Sequence, residues 1–196
     1  MIPYMICVVL GYFFGCINPA YLLAKKKGKN ILTMGSRNPG ASNTMLNFGW
    51  AAGILVGFCD ILKACLAVLI CKTLFPALPY VGYLAGICCI IGHMYNVFLR
   101  FRGGKGLASL MGMMLILDWR CFLLLGALII VITVLTRYIA IATCSVAILY
   151  PVYLIWVHSD IWLLLMMMAI AIPICYKHIE NFKRIASGEE AALKMK

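Results

Sequence analysis

Long apolar runs dominate this chain, and short polar stretches punctuate them. Apolar residues fill segments wide enough to cross a bilayer, which takes about 20 helical residues each. The pattern predicts helices over 3–24, 51–71, 79–99, 103–118, 121–136, 139–157 and 160–177. The fourth and fifth are short, with Asp118-Trp119-Arg120 as a tight interfacial turn between them. Gly11, Gly15, Gly53, Gly57, Gly82 and Gly86 lie inside these runs, where small residues let helix backbones approach. The expected fold is all-α: a polytopic membrane protein with seven transmembrane helices in a single domain over residues 1–196.

Composition agrees with that picture and charge orients it. The chain is 65% hydrophobic and only 12% charged, outside the range of soluble globular domains. With seven crossings, one side receives Lys25, Lys26, Lys27, Lys29, Arg37, Arg100, Arg102, Lys105, Arg137, Lys177, Lys183, Arg184, Lys194 and Lys196, or 14 of the 17 basic residues. Lys72 and Arg120 fall opposite. The positive-inside rule puts the basic side in the cytoplasm, with the N-terminus outside and the C-terminus inside. The net charge of +11 therefore reads as orientation and attraction to anionic lipid, not as a nucleic-acid footprint. The first segment has no basic residues before it and reads as a retained helix, not a cleaved signal. Ten scattered cysteines form no CxxC pair or Cys/His cluster and read as small buried hydrophobes. No metal or cofactor is expected.

Three polar groups gather on the cytoplasmic side. Gly35-Ser36-Arg37-Asn38-Pro39-Gly40-Ala41-Ser42-Asn43 lies in the first loop. Gly92-His93 ends the third helix, ahead of Phe98-Leu99-Arg100-Phe101-Arg102-Gly103-Gly104-Lys105-Gly106. Tyr176-Lys177-His178-Ile179-Glu180-Asn181 opens the tail. Glycines let backbone N–H groups converge and Lys and Arg add positive charge, so these loops suit a phosphate; at a membrane edge, that suggests phospholipid chemistry. The spacing is not that of a Walker A loop. Plainer readings exist: Asn-Pro-Gly is ordinary turn chemistry, and a lone His93 is commonly a hydrogen-bonded structural residue. Asp60 and Lys63 stand one turn apart inside the second helix, where charge is costly unless paired, and read as a structural pair that supports the site.

These residues resemble the PlsY-type acyl-phosphate:glycerol-3-phosphate acyltransferases. The matching pieces run in order along the whole chain: Gly35-Ser36-x-Asn38-Pro39-Gly40-Ala41-Ser42-Asn43; Asp60-x-x-Lys63; Gly92-His93; Phe98-x-x-Phe101-x-Gly103-Gly104-Lys105-Gly106-x-Ala108; Arg137-Tyr138; and His178-x-Glu180-Asn181-x-x-Arg184. The resemblance implies a seven-helix inner-membrane enzyme that moves a fatty acyl group from acyl phosphate to sn-glycerol 3-phosphate. It would give lysophosphatidic acid and phosphate, acting as a monomer among membrane lipids.

On that footing Ser36, Lys105, His178 and Asn181 are the expected catalytic residues. Gly35, Asn38, Gly40, Asn43, His93, Gly103, Gly104 and Gly106 are expected to bind substrate, with Asp60, Lys63 and Glu180 as structural support. The base is either His178 or the departing phosphate. The chain departs from the family at Leu46 and Ala140, usually Arg and Ser, and at Ala64, usually Gly. Arg37 or Arg100 are candidate replacements for the missing cation. A paralogue acylating another acceptor, or a non-catalytic lipid-binding or transport protein, is the alternative. The His-x4-Asp motif of acyl-CoA acyltransferases and the metal signature of CDP-alcohol phosphotransferases are both absent from the sequence.

Overall fold

The computed structural model describes residues 1–192, and all of their regular structure is helical. Lys194 and Lys196, counted above with the basic side, lie outside the described residues. The chain divides into two compact units, Met1–Leu117 and the part from Asp118 onward.

The first unit contains α1 (Ile2–Cys16), α2 (Pro19–Lys26), α3 (Ala41–Phe48), α4 (Trp50–Leu74), α5 (Val81–Met94) and α6 (Leu107–Leu117). Central α4 packs on α1, α3, α5 and α6, and α1 lies along α5. Glycine permits that closeness. A β-carbon on Gly15 would fall inside the Cys89 carbonyl, one on Gly92 inside the Tyr12 carbonyl, and one on Gly112 inside the Ile61 carbonyl.

Of the expected turn over 118–120, only Asp118 lies outside a helix, since the next helix starts at Trp119. Of the other boundaries that differ from the hydropathy pattern, three have a clear local reason. The run over 3–24 is two helices, because Asn18 turns extended and its side chain accepts the Tyr21 N–H at 2.8 Å. Pro19 then occupies the first helical position, where its missing N–H costs nothing. The run over 79–99 stops being α-helical at Met94, and Asn96 starts a separate 3-10 turn over Val97–Leu99 by accepting the Phe98 N–H. Helix α6 begins at Leu107, not 103, because the glycine-rich stretch before it is used as loop.

The second unit is α7 (Trp119–Thr136), α8 (Ile139–His158), α9 (Ile161–Lys177) and α10 (Ile179–Ala186), with α8 packed against both α7 and α9. Asp118 caps α7, accepting the N–H groups of Arg120 and Cys121 at 3.0 Å each, and its other oxygen accepts the Tyr153 hydroxyl from α8 at 2.7 Å. Burial opposes its ionisation, but those hydrogen bonds and His158 prevail, so the Asp118 carboxyl titrates below the usual range. The chain bends by 42° between α9 and α10.

Five segments are long and apolar enough to cross a membrane: Ile2–Lys26 taken through its break, Trp50–Leu74, Val81–Leu99, Trp119–Thr136 and Ile139–His158. The bent pair α9–α10 makes a sixth if it is one span, and Leu107–Leu117 is apolar but shorter. Large apolar side chains such as Leu55, Phe58, Leu124, Ile130 and Trp156 face outward, as a lipid-solvated surface requires. All ten cysteines are free.

Candidate active site

In the first unit, the loop ahead of α3 is shaped by one buried amide. The Asn43 Oδ1 accepts the Ser36 N–H at 3.1 Å and the Asn47 side chain at 2.9 Å, while its Nδ2 donates to the carbonyls of Ile31 and Met34. Every hydrogen-bonding position of Asn43 is thus taken up by its own loop. These bonds hold the loop's shape. Asn18, the cap of α2, donates to the Pro39 carbonyl at 3.1 Å and ties the loop to the break after α1.

What the loop presents is donors. Gly40 precedes α3 with extended backbone, and no side chain caps that helix. The first N–H groups of α3 have no partner within the helix and, with the positive end of its dipole, form a setting for an anion. The Ser36 hydroxyl is exposed beside them, and Asn38 is half-buried next to Gly40. Gly35 is required by its own geometry, with φ at 51° and a β-carbon there falling on the Asn43 amide.

The second glycine stretch lies on the end of α5. The Gly104 N–H donates to the His93 carbonyl at 3.0 Å. A β-carbon on Gly103 would strike the His93 carbonyl, and one on Gly104 would strike the His93 ring at Nε2. Lys105, half-buried, follows directly, and Gly106 turns with φ at 96° into α6. His93 is itself buried, and its Nδ1 lies 2.9 Å from the Lys63 Nζ and 3.3 Å from the Asp60 Oδ1. Its ring lies directly against Gly104 of the loop.

Lys63 completes this buried cluster. Its ammonium pairs with Asp60 Oδ1 at 2.7 Å and hydrogen-bonds to His93 Nδ1, to the Ile17 carbonyl at 2.7 Å and to the Gly15 carbonyl at 3.1 Å. The last two are carbonyls left without helical partners where α1 ends. Asn96 takes a third, donating to the Cys16 carbonyl at 2.6 Å, and its own carbonyl accepts the Phe101 N–H at 2.8 Å. The break after α1, the Asp60–Lys63 pair and the Gly103–Gly106 loop are therefore one connected polar structure. Asp60 and Lys63 stood out in the sequence, but Asn18 and Asn96 did not.

In the second unit, His178 sits at the bend between α9 and α10 and is buried. Its Nδ1 lies 2.8 Å from the Ile174 carbonyl. Only a donor pairs with a carbonyl, so in the neutral ring Nδ1 carries the proton and the lone pair resides on Nε2. Asn181, also buried, donates to one oxygen of Glu190, whose other oxygen accepts the Arg184 Nε at 2.6 Å. Glu180 is exposed and pairs with Lys183 at 3.0 Å. Leu46 is exposed on α3, and Ala140 is buried on α8. Among the described residues no group of three or more His, Cys, Asp or Glu side chains could hold a metal ion.

Comparison with known proteins identifies the family. Residues 5–188 match the family model described as glycerol-3-phosphate acyltransferase. Glycerol-3-phosphate acyltransferase 1 of Oceanobacillus iheyensis is 38% identical, over 97% of this chain and 95% of the relative, and the Thermus thermophilus enzyme is 33% identical, over 95% and 93%. The crystal structure of PlsY (YgiH), an integral membrane glycerol 3-phosphate acyltransferase, in its glycerol 3-phosphate form superposes with a TM-score of 0.90 at 30% identity, covering 97% of this chain and 96% of that one. Its lysophosphatidic acid form superposes with a TM-score of 0.87. The chain belongs to the glycerol-3-phosphate acyltransferase family.

Proposed function

We propose that this protein transfers a fatty acyl group from an acyl phosphate to sn-glycerol 3-phosphate in a bacterial cytoplasmic membrane, releasing lysophosphatidic acid and inorganic phosphate. The observation that carries the reading is the uncapped start of α3, with the Ser36 backbone held at it by Asn43 and Asn38 next to Gly40. The names and bound forms of the relatives support the acceptor.

An acyl phosphate is a mixed anhydride, already activated, so the protein's task is to hold two anions and absorb charge as phosphate leaves. Ser36, Asn38 and the amides after Gly40 hold the donor phosphate, and Lys105 supplies positive charge on its glycine-framed loop. His178 and Asn181 bind and orient the acceptor. The acceptor hydroxyl attacks the acyl carbon, and the bond from that carbon to the bridging phosphate oxygen breaks with its electron pair leaving on phosphate. The hydroxyl proton passes to His178 Nε2 or to the departing phosphate itself. Glu190 holds Asn181, and the Asp60–Lys63–His93 cluster holds the Lys105 loop.

The test is phosphate release from palmitoyl phosphate by the purified full chain, with and without glycerol 3-phosphate. Acceptor-dependent release with lysophosphatidic acid formed is the expected result, with turnover about a hundredfold lower in Lys105→Ala, His178→Ala and Asn181→Ala. Near-wild-type turnover in all three sinks the site assignment; no acceptor-dependent release from folded protein sinks the acceptor.

The same reading has seven crossings, α6 included, with the N-terminus outside and both glycine loops at the cytoplasmic face; the protein acts as a monomer. The clustering of basic residues supports that orientation. A green fluorescent protein fused to the C-terminus should fluoresce and an alkaline phosphatase fused there should be inactive. The opposite pair of results reverses the orientation.

A further inference from the structure

The loop from Met34 to α3 contains one charged residue, Arg37, and its backbone lies in the left-handed region at φ 57°. That region crowds a β-carbon, whereas glycine enters it freely. Arg100 and Arg137 also have positive φ, but each directly follows the last residue of a helix, where a left-handed residue ends the turn. Arg37 ends a turn but no helix. The preceding 3-10 turn is already closed by Met34, and the Arg37 N–H reaches back to the Met34 carbonyl at 2.8 Å.

Nothing in the packing calls for an arginine there either. The side chain is exposed between Ser36 and Asn38, and among the described residues its guanidinium has no ion-pair or hydrogen-bond partner. The neighbouring cations are occupied differently: Lys27 and Lys29 lie 5.5 and 5.8 Å from the centre of the Phe48 ring. Helix α3 carries no charge, and its outward Leu46 is apolar. A strained backbone that keeps a long, unpaired cation beside an anion-receptive helix start points to a use for that cation.

We propose that Arg37 is a phosphate-binding residue, its guanidinium making a charge-assisted, two-pronged contact with a substrate phosphate. The inference rests on the reaction proposed above and adds a ligand to its site. Both the acyl phosphate and the glycerol 3-phosphate carry that group, and kinetics tell them apart.

The experiment compares full-length wild type with Arg37→Gly, Arg37→Asn and Arg37→Lys. Glycine and asparagine both accept a left-handed backbone, so neither should unfold the loop. The expected result is a KM raised about ten- to a hundredfold in the Gly and Asn variants, for whichever substrate the guanidinium holds, with kcat little changed. Lys should fall between. Without substrate, the Gly variant should melt at the wild-type temperature or above it. Inorganic phosphate should raise the wild-type melting temperature more than that of the Gly variant, a readout that needs no turnover.

Unchanged KM values with an equal phosphate-induced shift would overturn the proposal, as would a lowered melting temperature in the Gly variant, which would make the arginine structural. Wild type that fails to acylate glycerol 3-phosphate defeats the parent reading instead, and the phosphate-shift comparison still decides Arg37.

Discussion

A lysine ammonium inside an apolar bundle has to find an acceptor for each proton, and Lys63 has His93 Nδ1 and the Gly15 and Ile17 carbonyls within 3.1 Å, with Asp60 paired beside them at 2.7 Å. Removing it strands more than its own charge. Lys63→Met leaves Asp60 buried without its cation and the Gly15 and Ile17 carbonyls without a donor. Breaking a buried pair from one side costs about 3–5 kcal/mol. The variant should unfold well below wild type in detergent, and adding Asp60→Asn should recover part of the loss, since the stranded charge is then gone. A melting temperature equal to wild type would show that the pair contributes nothing to the fold. Asp60 and Lys63 were legible because two charges a turn apart in an apolar run have no cheap explanation. Asn18, Asn96 and Asn47 were not: an asparagine beside a proline or at a helix end reads as ordinary turn chemistry, and only its long-range partner reveals its use. Glu190 was hidden for a similar reason, since its reach back to Asn181 crosses nine positions.

Between elements, contact distance is set by glycine. Helices α1 and α5 touch through Gly11, Gly15 and Gly92, with backbone carbonyls where a β-carbon would otherwise sit. Gly15→Ala must push α1 away from α5, and overpacking of this kind costs about 1–3 kcal/mol. Because Gly15 also offers its carbonyl to Lys63, the shift should disturb the polar cluster as well. A lowered melting temperature accompanied by reduced turnover is expected; loss of stability alone, with activity intact, would show that the cluster does not govern the loops. At this scale hydropathy located the long helices but misplaced their ends. The end of α5, the start of α6 and the break after α1 are all decided by hydrogen-bonded side chains or glycine geometry, to which an apolar window is blind. Helices α2 and α3 escaped notice because each is only 8 residues long.

At the scale of the whole molecule, the polar site and the apolar exterior impose opposite demands. The outward faces carry leucine, isoleucine, phenylalanine and tryptophan, whereas the glycine loops are polar and, in the proposed reaction, meet phosphate groups. The glycine and His/Asn motifs made the chemistry legible from sequence, because phosphate recognition requires those residue types at short spacing. Which side chains hold the loops was not legible, since loop-holding and substrate-facing residues are both polar and stand side by side: the hydrogen bonds that Asn43 makes to Ser36, Ile31 and Met34 are visible only in the folded chain.

The short helix α6 has a consequence for the surrounding lipid. Its 11 residues rise only about 16 Å at 1.5 Å each, roughly half of a 30 Å hydrocarbon layer. In the seven-crossing reading proposed above, a span that short draws the two leaflets together around it, and the elastic cost of that deformation grows with acyl-chain length. The protein should therefore be a sensor of bilayer thickness as well as a resident of it. Reconstituted in nanodiscs of matched headgroup, it should melt at a lower temperature and turn over more slowly in long-chain than in short-chain lipid. Equal behaviour in both would mean that α6 deforms nothing. If the difference is found, the lipids made downstream of this reaction set the mechanical load on the enzyme that begins them, so membrane thickness feeds back on membrane synthesis without any dedicated regulator.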